Sequence, residues 1–237
     1  MNRNHGLESL KYILWDIDGT LLNFELAEEA AMKRLFDKYG FGELKPEVLD
    51  DYKKINKKYW EALERGEITK PEVLVGRFKE FFEKYGFDVE KASSFNEDYQ
   101  ESLGANPVFN EFARELVENS RETYKQYAVT NGTLKAQTGK LTNSGLDKLL
   151  DGAFISDVIG VEKPGVEFFE EVFKTVGSDN KEEYLIIGDS LTSDIRGGNN
   201  AGIKTCWFNP SRGANTEGVR VDFEVKSMFE IKELLEK

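Results

Sequence analysis

An α/β fold, a parallel sheet carrying a helical insert after its first strand, is the class this sequence predicts, on three observations. Short apolar runs without polar alternation recur along the chain, the pattern of strands covered on both faces. From Asn106-Pro107 onward they alternate with helical stretches, which implies parallel strands joined by crossover helices. Between the first run and that alternation, the periodicity is helical only.

The first run, Tyr12-Ile13-Leu14-Trp15, ends in Asp16-Ile17-Asp18-Gly19-Thr20. Open parallel sheets bind ligands just beyond the carboxyl ends of their strands, so both aspartates are placed in a crevice. Gly19 permits the sharp turn. Two carboxylates this close repel unless a cation sits between them. The spacing does not fit an EF-hand calcium loop, which needs a further acidic or amide position before its glycine.

The insert reads as four helices. Ala27 to Tyr39 stops at Gly40, and Pro46 to Glu64 stops at Gly66. A third helix opens on the capping box Thr69-Lys70-Pro71-Glu72, buries Val73, Phe78, Phe81 and Phe82, and ends at Gly86. A fourth covers Val89 to Leu103. Trp60 is expected to pack inside this layer, whereas Lys53, Lys54, Lys57 and Lys58 form a solvated face.

The later elements follow in turn. A helix through Phe109, Phe112, Leu116 and Val117 precedes a strand from Tyr124 to Val129, and a helix from Leu134 to Asn143 precedes Ala153 to Ile155. Val166 to Val176 is helical, Tyr184 to Ile187 a strand, Thr192 to Ala201 a helix and Lys204 to Phe208 a strand. Phe223 to Val225 and Met228 to Leu235 close the chain as an edge strand and a helix.

Composition narrows the function. The chain has 237 residues, 39% of them hydrophobic and 32% charged, enough for a sizeable core. Lys and Arg total 32 against 44 Asp and Glu, a net charge of −12 with no basic block, which excludes polymeric nucleic acid as a partner and favours a small ligand. His5 is the only histidine and Cys206 the only cysteine, so histidine triads, histidine metal clusters and internal disulfides are excluded. No run spans a bilayer and no secretory leader opens the chain, so a soluble, cytoplasmic protein is expected, as monomer or homodimer. Gly139-Lys140 lacks the earlier glycine of a Walker loop.

Each remaining strand end also has a plain meaning taken alone. Thr130-Asn131-Gly132 reads as a turn, Lys163-Pro164 as a surface charge before a helix, and Asp189 and Asp194 as helix caps. Their order along the chain argues otherwise, since independent turns would not deliver these groups to one sheet edge. The sequence DxDGT, then Thr, then Lys-Pro, then Gly188-Asp189-xxxx-Asp194 resembles the four motifs of the haloacid dehalogenase-like (HAD) superfamily of phosphohydrolases, over essentially the whole chain.

That resemblance implies a Rossmann-like core, residues 1–22 and 105–237, and a cap domain, residues 23–104. It implies Asp16 as the nucleophile that forms an aspartyl-phosphate. Asp18 is the general acid and base. Mg²⁺ is the implied cofactor, held by Asp16, the Asp18 carbonyl and Asp189, with Asp194 supporting that shell or orienting Lys163. Thr130, the Asn131 and Gly132 amides, and Lys163 clasp the phosphoryl oxygens. Asp18 separates the chain from dehalogenating relatives, which need no acid there. The insert offers no Schiff-base lysine of the phosphonate-cleaving kind.

The resemblance narrows to the pyrimidine 5′-nucleotidases that remove non-canonical nucleotides, on Leu22-Asn23-Phe24, Asn56 with Trp60, Gly66-Glu67-Ile68-Thr69, Gly76-Arg77-Phe78 and Gly197-Gly198-Asn199-Asn200-Ala201-Gly202 through Thr205-Cys206-Trp207. Membership implies a small-molecule substrate, a nucleoside monophosphate such as UMP, dUMP or dTMP. Phe24 would stack on the base, Asn56 bond its edge and Arg77 meet a phosphate or carbonyl oxygen. A sugar-phosphate phosphatase or phosphomutase shares every core residue and stays open, as does a non-catalytic nucleotide-binding protein.

Overall fold

The computed structural model describes residues 6–236, so His5 lies outside it. In chain order it contains β1 (Tyr12–Trp15), α1 (Phe24–Tyr39), α2 (Pro46–Glu64), α3 (Lys70–Tyr85), α4 (Ala92–Ala105), α5 (Ala113–Ser120), β2 (Lys125–Thr130), α6 (Leu134–Ser144), α7 (Leu146–Leu149) and β3 (Gly152–Ile155). It continues through α8 (Ser156–Ile159), α9 (Val166–Val176), β4 (Tyr184–Gly188), α10 (Arg196–Ala201), β5 (Lys204–Phe208), β6 (Phe223–Val225) and α11 (Met228–Leu235). The strands form one parallel sheet in the order β3-β2-β1-β4-β5-β6. The chain runs outward from β1 to β3 and then crosses to β4 on the other side, so β1 lies at the switch point where such sheets open a ligand crevice.

Side chains of β1 alternate between two cores, as strand geometry requires. Ile13 and Trp15 pack with Ala128, Leu185, Ile187 and Cys206 on one face, and Leu14 with Val129, Phe168 and Ile186 on the other. The Trp15 indole N–H is satisfied by Gln126 Oε1 at 2.8 Å. Cys206 is fully buried in this packing.

Helices α1 to α4 bury a separate core of Phe36, Tyr52, Phe78, Phe81, Phe82, Phe95 and Tyr99. Asn23 caps α1 by accepting from the Leu26 N–H at 3.0 Å, so this helix starts at Phe24 and not at Ala27. Glu72 accepts from the Thr69 N–H at 2.7 Å, the return bond of the expected capping box. This helical layer sits on α6. Gly104 of α4 faces Gly139 of α6 so closely that a Cβ on Gly104 would stand 3.1 Å from the Gly139 Cα. The two chain crossings between layer and sheet run side by side, with Asn23 N–H on Val108 O at 2.8 Å and Asn110 N–H on Leu21 O at 3.0 Å.

Several local expectations are corrected. Phe109 and Phe112 are not helical: Phe109 pairs with Leu22 in an isolated bridge, and Phe112 has φ 64°, a left-handed backbone no α-helix contains, so α5 begins at Ala113. Val89–Lys91 is a short 3₁₀ turn before α4. The helix expected from Thr192 is split. Asp194 and Ile195 both direct their N–H to Ser190 O at 3.1 Å, so Leu191–Ile195 forms a wide π-helical turn before α10. Pro164 does not open a helix; it follows Lys163 through a cis bond, and α9 starts at Val166.

Candidate active site

The carboxyl ends of β1, β2 and β4 and the inner faces of α1 to α4 enclose a cleft of about 1070 Å³. Asp16, Asp18, Thr130, Asn131, Gly132, Lys163, Asp189 and Asp194 line its floor, and Phe24, Asn56, Trp60 and Arg77 its roof.

Lys163 ties the floor together. Its ammonium, 1% exposed, donates to Asp16 Oδ1 at 2.9 Å, Asp194 Oδ1 at 2.6 Å and Val129 O at 2.7 Å. Burial disfavours its charge, but the carboxylates of Asp16 and Asp194 outweigh that and hold its pKa above the lysine value. The loop carrying Lys163 is clamped by Asn131, whose side chain donates to Lys163 O and accepts from Lys163 N–H, both at 2.8 Å. Asn131 therefore meets this site through its side chain, which is committed to positioning the lysine. The Gly132 N–H turns back to Thr130 Oγ1 at 3.0 Å, which leaves the Thr130 hydroxyl proton free to donate elsewhere.

The donor set suits a hard cation. Carboxylate oxygens of Asp16, Asp189 and Asp194 lie within 4.8 Å of one another. Asp16 Oδ2 is buried without any hydrogen-bond partner, a costly state for a carboxylate unless a cation or substrate completes it. Burial raises the Asp16 carboxyl above its ordinary range despite Lys163. Gly19, at φ 90°, is required here because a Cβ would stand 2.4 Å from Asp189 Oδ2.

Asp18 does not share that acidic group. Its carboxylate turns toward α6, where Oδ2 accepts from Gln137 Nε2 at 2.7 Å and Oδ1 pairs with Lys140. Neither partner was singled out from sequence. Gln137 and Lys140 are three apart on the inner side of α6, beside Ala136 and Leu141, and a lysine in an apolar helical register is the signal that would have marked them. Lys140 also lies 5.2 Å from the Phe24 ring centroid.

The roof differs from expectation in two respects. Asn56 and Arg77, expected to meet the substrate directly, line the cleft but are buried, and Trp60 and Lys53, expected in the core and on a solvated face, both border it. The change follows from four helices packing around a polar centre, which periodicity within one helix does not reveal. Arg77 donates to Asn56 Oδ1 at 3.0 Å and Asn96 Oδ1 at 3.2 Å, and Asn56 donates to Glu28 Oε1 at 3.0 Å. Burial pushes the Glu28 carboxyl up to about 7.

Glu64, at the end of α2, crosses from the helical layer to the π-helical turn and accepts from the Thr192 hydroxyl. Burial pushes its pKa up to about 7 from the ordinary glutamate value of 4.5, with Thr192 opposing and Asp194 adding to the shift. A carboxyl whose folded pKa is raised holds its full stability below pH 4.5 and loses it as pH rises through 7. Glu64→Gln is therefore expected to gain stability relative to the wild type between pH 5 and pH 8 in metal-free buffer. Thermal melts at both pH values check this, and parallel curves would refute it.

Known proteins share this architecture. The haloacid dehalogenase-like hydrolase family matches residues 13–208. Pyrimidine 5′-nucleotidase PynA of Streptococcus pneumoniae is 37% identical over 229 residues, 96% of this chain and 95% of its own. Pyrimidine 5′-nucleotidase YjjG of Escherichia coli is 30% identical over 224 residues, 94% and 97% of the two chains. The crystal structure of the HAD-hydrolase YfnB from Bacillus subtilis, bound to magnesium, superimposes with a TM-score of 0.91 at 33% identity, over 97% of this chain and 100% of that one. Sheet order, motif placement and similarity along nearly the full length agree, and the chain belongs to the haloacid dehalogenase-like hydrolases.

Proposed function

We propose that this hydrolase removes the phosphate of pyrimidine nucleoside 5′-monophosphates, UMP, dUMP, dTMP and their non-canonical analogues, through an aspartyl-phosphate on Asp16. The observation that carries the chemistry is Asp16 Oδ2, a buried carboxylate oxygen without a partner, on a residue that lines the same cleft as Asp18. The choice of substrate is supported by PynA and YjjG, both named pyrimidine 5′-nucleotidases. We also propose residues 1–22 and 105–237 as the catalytic unit and 23–104 as the cap.

Lys163 holds Asp16 Oδ1, which leaves Oδ2 to attack phosphorus as the bond to the ester oxygen breaks. Asp18 donates a proton to that leaving oxygen and then takes one from the water that attacks the aspartyl-phosphate, freeing phosphate and Asp16. Gln137 and Lys140 fix the direction of the Asp18 carboxyl during both transfers. The Thr130 hydroxyl and the Lys163 ammonium meet phosphoryl oxygens as negative charge shifts among them. Asp16, Asp189 and the Asp18 carbonyl would hold Mg²⁺, with Asp194 supporting them, and the ion supplies charge neutralisation to the phosphoryl group. Phe24 and Trp60 offer ring faces to a base.

Phosphate release from UMP, dUMP, dTMP, AMP, GMP, glucose 1-phosphate and glucose 6-phosphate tests the reading. The pyrimidine monophosphates are expected to exceed the others in kcat/KM by at least about tenfold. EDTA is expected to stop the reaction and added Mg²⁺ to restore it. Turnover of sugar phosphates alone would replace the nucleotidase reading with that of a sugar phosphatase.

A further inference from the structure

We infer that Glu28 reads the leaving group: its Oε2 accepts a hydrogen bond from a ring N–H of the base, and Asn56, Arg77 and Tyr99 act as positioning residues that aim it. The inference rests on the nucleotidase reading above and adds the atom that would select the base.

Glu28 lies four residues after Phe24 on α1, so both side chains leave the same face of the helix toward the cleft. Its side chain is buried, and both of its protein hydrogen bonds end on Oε1, from Asn56 Nδ2 at 3.0 Å and the Tyr99 hydroxyl at 3.2 Å. Oε2 takes neither bond. Unlike Asp16 Oδ2, it is not among the side-chain atoms sealed from solvent without a partner, and Glu28 lines the cleft. The remaining oxygen is therefore open to a donor from the cleft.

Most polar atoms of the neighbouring groups are committed to one another, although Arg77 Nε is buried without a partner. Asn56 spends its oxygen on Arg77 at 3.0 Å and an amide hydrogen on Glu28. Arg77 spends its second nitrogen on Asn96, which also accepts from Gln100 Nε2 at 3.0 Å. Gln100 in turn accepts from the Thr133 hydroxyl at 2.8 Å, at the start of α6 just beyond Thr130. This continuous network pins Glu28 from behind and ties it to the loop proposed to grip phosphate. Asn56 and Arg77 thus reach a base indirectly, by fixing the carboxylate, and not by the direct contacts the sequence suggested.

The matching ligand chemistry is an N–H flanked by carbonyls, the imide edge of uracil and thymine. Adenine and cytosine have no N–H at the equivalent ring position. The ammonium of Lys53, which borders the same cleft, supplies a donor for a flanking carbonyl.

The test is kcat/KM for UMP and for 3-methyluridine 5′-monophosphate, whose imide N–H is replaced by N–CH₃, in the full chain with Mg²⁺. Wild type is expected to prefer UMP by about 10- to 100-fold, the scale of one hydrogen bond to a charged group. Glu28→Ala and the isosteric Glu28→Gln are both expected to bring that ratio toward one. A wild type that turns over UMP without regard to N3-methylation would overturn the inference and leave the nucleotidase reading intact. So would a variant that keeps the wild-type ratio. The wild-type ratio requires no variant to fold, and Glu28→Gln preserves shape if Glu28→Ala does not fold. A wild type inactive on every nucleotide but active on sugar phosphates would remove both readings together.

Discussion

Asp16→Asn is expected to abolish phosphate release from UMP, a loss of at least about 10⁴-fold, the scale on which enzymes fail when a covalent nucleophile is removed. The amide oxygen can still accept from Lys163, so the geometry of the floor is retained, but an amide does not attack phosphorus. The substitution also removes one of the negative charges that crowd Asp189 and Asp194. The variant is therefore expected to melt no lower than the wild type in metal-free buffer. Residual turnover within tenfold of wild type would overturn the nucleophile assignment. A large fall in melting temperature would show instead that Asp16 is needed for folding.

Lys163→Met is expected to act on stability as well as rate. The ammonium lies between Asp16 and Asp194, and removing one partner from a buried ion pair leaves uncompensated charge worth about 3–5 kcal/mol. For a chain of this size that corresponds to a fall in melting temperature of roughly 6–20 °C. Methionine fills similar volume, so the loss reports charge more than a cavity. Phosphate release should fall together with stability, because the same ammonium is proposed to meet the phosphoryl group. A melting curve that overlays the wild type would show that Asp16 and Asp194 are compensated by other means.

The strands were legible because each is a short apolar run that must be covered on both sides, as in Tyr12–Trp15 and Tyr184–Gly188. Their carboxyl-end residues were legible for the same reason: wherever a buried parallel strand stops, the next side chains stand at one edge of the sheet. Boundaries blurred where backbone geometry, and not hydrophobicity, ended an element. Phe112 and the turn around Asp194 are two such cases, and neither φ 64° nor a shared carbonyl leaves a trace in residue type.

The sequence by itself determined the parallel sheet, the helical insert and the set of groups at the sheet edge, because those depend on period, burial and order along the chain. Tertiary structure alone decided how each group is used. Asn131 clamps Lys163 with its side chain, Asp18 turns to Gln137 and Lys140, and Asn56 and Arg77 are bound to their neighbours and to Glu28. These pairings join residues far apart in sequence. A buried polar group takes whichever partner packing brings within about 3 Å, and that partner is set by how helices cross, not by the residue's own neighbours.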